Sequence, residues 1–131
     1  YNDSIATAPE RSMAAIRSFD EPLVLLAGGR DKNLPWDEFA RLVCRRVDHL
    51  IVFGEAKEKI LSAVQQAGEV NGLGQPDVVV CSGLRQAVES AAEAARPGDV
   101  VLLSPGGTSF DEFRDFEARG EAYRKWVMML E

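Results

Sequence analysis

Two short segments carry residue types that can bind an anion, and the first is residues 103–113 (LSPGGTSFDEF). A glycine turn there leads to Thr108 and Ser109 and then to a helical pattern. Either hydroxyl is a natural N-cap, and the free N–H groups of a helix start can hold a carboxylate or a phosphate. An ordinary strand-to-helix turn has the same pattern, so the local sequence leaves both interpretations open.

The second segment, residues 27–32 (AGGRDK), offers a cation. An ammonium group at Lys32 would suit an anionic substrate, although a lone lysine in a loop is more often simply solvated. Gly28 and Gly29 do not form a dinucleotide fingerprint, because GxGxxG is absent. The chain also contains no GxxxxGK[ST] phosphate loop.

Composition excludes several other kinds of site. A single histidine, His49, and two cysteines, Cys44 and Cys81, are too few for a multi-histidine zinc site or a disulfide-dense scaffold. Fifteen Lys and Arg against 21 Asp and Glu give a net charge of −6, which argues against a general binder of nucleic acid or anionic membranes. No stretch approaches the ~20 apolar residues of a membrane span. Two cysteines in apolar settings suit the reducing cytoplasm.

Alternating strands and helices must position these segments. Four continuous apolar runs predict strands buried on both faces. They occupy residues 23–27, 50–53, 78–81 and 100–103. Amphipathic patterns predict helices at residues 10–19, 36–47, 57–64, 84–95 and 110–130. We expect the last helix to be broken near Arg119 and Gly120.

This alternation predicts an α/β fold, a single Rossmann-like three-layer domain with a mainly parallel sheet flanked by helices. Ligands of such sheets bind beyond the carboxyl ends of the strands. That rule directs attention to residues 28–32, 82–83 and 104–109.

Five segments also follow one another in an order and spacing typical of a known family. They are residues 2–7 (NDSIAT), 26–32 (LAGGRDK), 51–54 (IVFG), 98–113 (GDVVLLSPGGTSFDEF) and 116–120 (FEARG). They resemble the NDSKATN segment, the LxGGxDK loop, the second strand, the GDxVLLSPACASFDxF motif and the FxxRG tail of the Mur ligases. The chain thus resembles their C-terminal domain, in the branch that adds D-glutamate, along essentially its whole length.

The resemblance implies an ATP-dependent acid–D-amino-acid ligase of peptidoglycan precursor synthesis. Residues 1–131 would be its third, amino-acid-binding domain, entered through a hinge segment at residues 1–8. Missing N-terminal and central domains would bind the UDP-sugar and ATP with Mg²⁺. ATP would phosphorylate UDP-N-acetylmuramoyl-L-alanine, and the D-glutamate amine would attack the acyl phosphate. This domain would close over ATP, bind no cofactor tightly alone, and be inactive in isolation.

The resemblance also assigns residues. Those matching positions that contact D-glutamate are Thr7, Lys32, Ser109, Phe110 and Phe116. Asp3 matches an aspartate near the ATP ribose, and no residue here matches a catalytic group or a metal ligand. Ile5 replaces the family's lysine, so one expected cation is missing. Two alternatives stay open, a stand-alone anion- or nucleotide-binding α/β module and a sister Mur ligase that adds another amino acid.

Overall fold

Four strands pair in parallel to form the sheet. The computed structural model describes residues 1–4, 6–30, 35–70, 75–107 and 113–129. Its strands are β1 (Leu23–Gly28), β2 (Val47–Phe53), β3 (Asp77–Val80) and β4 (Val100–Gly106). They lie in the order β3-β2-β1-β4, and every pairing between neighbours is parallel. Leu25 in β1 lies opposite Leu50 in β2 and Leu102 in β4, which fixes the register.

Helices cover both faces of this sheet. They are α1 (Pro9–Arg17), α2 (Asp37–Arg46), α3 (Lys57–Val70), α4 (Leu84–Ala94) and α5 (Phe116–Met129). Successive strand residues point to opposite faces, so β1 contributes side chains to a hydrophobic core on each face of the sheet. Leu23 and Leu25 pack with α1, α2 and α3, whereas Val24 and Leu26 pack with α4 and α5. The predicted three-layer α/β fold with a mainly parallel sheet is confirmed.

Local sequence explains where the first helices begin and end. Pro9 starts α1, where its missing N–H leaves no hydrogen bond unmade. Asp37 and Glu38 lie in the first turn of α2, and Arg45 and Arg46 lie in its last turn. These charges oppose the partial charges at the two ends of the helix and stabilise it.

Two predictions about single elements are wrong. The last helix is not broken, because α5 runs through Arg119 and Gly120 without interruption. A Cβ at Gly120 would lie 3.2 Å from the Ser4 Cβ, so this glycine permits close packing rather than a break. The third strand is not buried on both faces, because β3 is an edge strand whose Val79 and Val80 are 41% and 48% exposed.

The order of the strands creates a topological switch point between β1 and β4. The helix that follows β1 along the chain, α2, lies on one face of the sheet, and the helix that follows β4, α5, lies on the other. The chain therefore leaves the carboxyl ends of these neighbouring strands in opposite directions. Open α/β sheets bind their ligands in the crevice that this divergence leaves.

We predict that Gly28 tolerates no side chain, because a Cβ there would lie 2.0 Å from the Phe53 carbonyl oxygen of β2. Gly28→Ala should lower the free energy of unfolding of the chain by about 3 kcal/mol, since β1 must move away from β2. Gly98→Ala is the control, because Gly98 has a φ of +95° and open space around it. Its strain should cost about 1 kcal/mol. Urea unfolding measures both, and equal losses would contradict the prediction.

Candidate functional site

The carboxyl ends of β1 and β4 contact each other through their backbones. Gly28 pairs with Gly106 at the ends of the two strands. A Cβ on the next residue, Gly107, would lie 2.8 Å from the Gly28 oxygen and 2.9 Å from the Arg30 oxygen. Only glycine allows the loop after β4 to pass so close to the loop after β1. The two segments that carry the predicted anion-binding residues are therefore held against each other.

The described part of the N-terminal segment, residues 1–4 and 6–8, reaches the same edge by running beside β4. The backbone N–H of Leu103 donates to the Tyr1 oxygen at 2.9 Å, and that of Asp3 donates to the Leu103 oxygen at 2.7 Å. Asn2 and Leu103 form a parallel bridge. This segment covers the side of β4 that faces away from β1 and is hydrogen-bonded to the edge of the sheet.

The Asp3 carboxylate is fixed by a hydrogen-bonded chain of two serines. Ser104 donates from its Oγ to Asp3 Oδ2 at 2.7 Å, and Ser12 donates from its Oγ to the Ser104 carbonyl oxygen at 2.8 Å. Both serines are fully buried, whereas Asp3 is partly exposed. The carboxylate predicted to lie near a ribose is thus oriented by a buried donor, Ser104, in a residue that is itself partly exposed.

A buried arginine joins the N-terminal segment to the loop after β4. Arg119, in the first turn of α5, is only 1% exposed. Its Nη2 and Nε donate to the carbonyl oxygen and Oγ of Ser4 at 2.7 and 3.0 Å. Its Nη1 donates to the Gly107 carbonyl oxygen at 2.9 Å. One planar guanidinium, with its donors in a fixed fork, therefore sets the spacing of two separate chain segments.

Thr7 and Phe116, two of the predicted D-glutamate contacts, lie beside this network. Thr7 is partly buried and follows Ala6, whose carbonyl oxygen accepts the Gly106 N–H at 2.9 Å. Phe116 is also partly buried, and its carbonyl oxygen accepts the Ser4 hydroxyl at 2.7 Å. The structure thus brings both of them, with Asp3, to the carboxyl end of β4.

The remaining predicted contacts, Lys32, Ser109 and Phe110, lie outside the described residues, as does Ile5. Two of these three contacts are near described residues along the chain. Arg30 precedes Lys32 by two positions, and Gly107 precedes Ser109 by two. Their contacts with D-glutamate stay predictions.

Sequence reasoning missed the residues that hold this edge together. Arg119, Ser4, Ser104 and Ser12 were not assigned a role, although all four are buried. A signal for Arg119 did exist, because it shares the helical spacing of Phe116 and Tyr123 on the face of α5 that packs inward. A charged residue in the buried stripe of a helix requires partners, since a buried charge is costly without them.

A groove of about 400 Å³ between the amino ends of α1 and α2 is a less suitable place for an anion. Carboxylates of Glu10, Asp37 and Glu38 line it together with Arg41. Their net negative charge disfavours a dicarboxylate there. The crevice between the ends of β1 and β4 is therefore the candidate site.

His49 and Cys44 lie away from this edge. His49 is near the amino end of β2, with its Nδ1 3.8 Å from Asp77 Oδ2 in β3. Burial raises the pKa of the Cys44 thiol, so it is mostly protonated at neutral pH and a poor nucleophile. Cys81 is buried beside Ser90. Both cysteines are free thiols.

Among residues 1–4, 6–30, 35–70, 75–107 and 113–129, no three His, Cys, Asp or Glu side chains are grouped to hold a metal ion. Within the same ranges, no helix has the length and apolarity needed to cross a membrane.

We predict that Ser104→Ala destabilises the chain by about 2 kcal/mol, because the Asp3 carboxylate loses a donor that water cannot replace from the buried side. Ser18→Ala is the matched control. The exposed Ser18 hydroxyl bonds only to the nearby Ala15 carbonyl oxygen, and its loss should cost under about 0.5 kcal/mol. Urea unfolding of both variants tests the difference, and a Ser104→Ala loss as small as that of the control would refute it.

Comparisons with known proteins agree with this architecture. A family model described as "Mur ligase, glutamate ligase domain" matches residues 1–107. Curated relatives from Roseiflexus sp., Symbiobacterium thermophilum and Acetivibrio thermocellus are each called "UDP-N-acetylmuramoylalanine--D-glutamate ligase". They are 46%, 42% and 38% identical to this chain, over 96%, 99% and 100% of its length. The matches cover 26%, 28% and 28% of the relatives, so the chain spans little more than a quarter of their length.

A solved structure shows the same fold at low sequence identity. The murein peptide ligase of Psychrobacter arcticus superposes with a TM-score of 0.64 at 13% identity. The match covers 95% of this chain and 25% of that chain. The ordered motifs, the parallel sheet and the family model lead to one assignment. The chain belongs to the Mur ligase glutamate ligase domain family.

Proposed function

We propose that this chain is the amino-acid-binding domain of an ATP-dependent ligase that joins D-glutamate to UDP-N-acetylmuramoyl-L-alanine in peptidoglycan precursor synthesis. The observation that carries the proposal is that the N-terminal segment and the ends of β1 and β4 meet at one edge of the sheet. All predicted contacts with D-glutamate lie on these segments, just beyond them, or at the start of α5. Alignment of almost the whole chain with relatives named as D-glutamate ligases supports the same function.

The charges of D-glutamate define what its site must provide. Its two carboxylates require a cation, hydroxyl donors and backbone N–H groups. We assign the cation to Lys32, which follows the end of β1, and a hydroxyl donor to Ser109, which follows the end of β4. Because β1 and β4 are neighbours, both segments start from the same crevice. Thr7 adds a second hydroxyl, Phe110 a backbone contact, and Phe116 a ring beside the aliphatic part of the substrate.

In the proposed reaction, the terminal carboxylate of the UDP-sugar substrate attacks the γ-phosphorus of ATP, and ADP leaves. The D-glutamate amine then attacks the carbonyl carbon of this acyl phosphate, and phosphate leaves as the amide forms. This chain orients the amine and, by closing over the nucleotide, excludes water from the acyl phosphate. Such orientation converts a bimolecular encounter into a near-unimolecular step.

The other parts of the reaction belong to other domains of the full-length protein. We assign the contact with the ATP ribose to Asp3, and this is supported by its carboxylate accepting from Ser104 in a residue that is partly exposed. Mg²⁺ would neutralise charge on the phosphates, and we assign its ligands and the phosphate loop to the other domains. The free thiols of Cys44 and Cys81 suit the cytoplasm, where we place the protein.

We predict that Lys32→Ala in the intact protein lowers kcat/KM for D-glutamate about 100-fold, since a charge-assisted hydrogen bond to a carboxylate is lost. Ser109→Ala should lower it about tenfold, because a neutral hydrogen bond contributes less. The measurement is ADP release as a function of D-glutamate concentration, with ATP and the UDP-sugar substrate saturating.

Lys125→Ala and Ser18→Ala are the matched controls, because both side chains are exposed and neither residue is among the predicted contacts. Wild-type kinetics in Lys32→Ala and Ser109→Ala would refute the site assignment. ADP release from the unaltered protein with another amino acid, and none with D-glutamate, would instead identify a sister ligase.

We also predict that the 131-residue chain alone does not turn over ATP when D-glutamate is supplied, because it lacks a phosphate loop. Release of ADP by the chain and by the intact protein should be compared at equal molar concentration. D-glutamate-dependent ATPase activity of the isolated chain would show that the division of labour between domains is wrong.

A further inference from the structure

We propose that Arg119 is a positioning residue. It fixes the distance between the N-terminal segment, which carries Asp3 as the proposed ribose contact, and the loop after β4, which leads to Ser109 as a proposed D-glutamate contact. The proposal rests on the proposed function for its kinetic consequences, whereas its geometric basis is independent of it. No role was assigned to Arg119 from the sequence, and its side chain does not reach solvent.

Arg119 holds two backbones directly and a third through close contact. It donates to Ser4, which adjoins Asp3, and to Gly107, which lies two residues before Ser109. Gly107 in turn passes within contact distance of the Gly28 and Arg30 oxygens. One side chain therefore determines the distances between the segments that lead to Asp3, Ser109 and Lys32.

The geometry around Arg119 leaves little freedom for adjustment. The Ser4 hydroxyl accepts from Arg119 and donates to the Phe116 carbonyl oxygen, so Ser4 is bound on both sides. Asn2 donates from Nδ2 to the Gly120 carbonyl oxygen at 2.9 Å and accepts the Ser4 N–H at 3.2 Å through its Oδ1. The first turn of α5 is thus joined to the N-terminal segment at several points, with Arg119 at the centre.

A positioning residue and a merely structural one differ in their kinetic effects. A residue that only stabilises the fold changes the fraction of active molecules, which lowers the apparent kcat and leaves KM unchanged. A residue that spaces the two half-sites changes how substrates fit, and displacements of about 1 Å can cost two orders of magnitude in rate. Loss of Arg119 should therefore raise KM for D-glutamate and for ATP while it lowers kcat.

The test compares Arg119→Met and Arg119→Lys with two controls in the intact protein. Arg119→Lys keeps the charge but cannot fork toward Ser4 and Gly107 together. Arg124→Ala removes an exposed arginine from the same helix. Val64→Ala removes a buried side chain from α3 on the other face of the sheet. If Arg119→Met does not fold, Ser4→Ala takes its place in the test, because it removes the Oγ that accepts from the guanidinium.

We expect both Arg119 variants to raise KM for D-glutamate and for ATP at least about tenfold. Val64→Ala should lower only the apparent kcat, and Arg124→Ala should match the wild type. Hydrogen exchange of single amides provides a second measurement. Amides of Asp3 and Gly106 should exchange about tenfold faster in the Arg119 variants, because these N–H groups bond within the joined segments. Exchange at Cys81, which donates to Val52 in β2, should be unchanged.

Unchanged KM values with a lower kcat would overturn the proposal, as would equal acceleration of exchange at Asp3, Gly106 and Cys81. The two measurements separate this proposal from the proposed function. If the unaltered protein releases no ADP with D-glutamate, the proposed function fails. The exchange rates at Asp3 and Gly106 then still decide whether Arg119 holds the segments together.

Discussion

A parallel sheet must be covered on both faces, and that constraint arranges the rest of this domain. The constraint is clearest at β1, because its apolar side chains are completely buried and alternate between two cores. Covering both faces requires the chain to send helices in opposite directions from neighbouring strands. The crevice between β1 and β4 is the geometric result, so the site is a consequence of how the sheet is buried rather than an addition to it.

Close packing at that crevice depends on backbone more than on side chains. Gly28 fits against β2 and Gly107 fits against the loop after β1 because neither has a Cβ. Arg119 also acts on backbone, because it donates to the carbonyl oxygens of Ser4 and Gly107. The geometry of the candidate site is consequently determined by elements of the fold.

Much of this could be predicted from the sequence, for reasons that differ between elements. The uninterrupted run in β1 identifies a buried strand directly, whereas β3 has the same composition and is an exposed edge, because hydrophobicity does not encode which strands are neighbours. Gly120 has a low intrinsic helix propensity, yet tertiary contact with Ser4 keeps α5 intact. Asp3, Thr7 and Phe116 were predicted as site residues only through family resemblance. The importance of Arg119 was missed because a charged residue on a helix is usually on the surface.

The N-terminal segment is hydrogen-bonded to partners that are far away in the chain. This separation determines the order in which parts of the domain can form during synthesis. Ser4 bonds to residues 112 and 115 positions later, and Asn2 bonds to one 118 positions later. At ribosomal rates this is a delay of roughly 10 s between synthesis of the two sides. β1, β2 and β3 can pair during that interval, but Asp3 has neither Ser104 nor β4 to hold it. The nascent domain can therefore pair β1, β2 and β3 first, and it completes the edge formed by β4 and the N-terminal segment last, when α5 has been made.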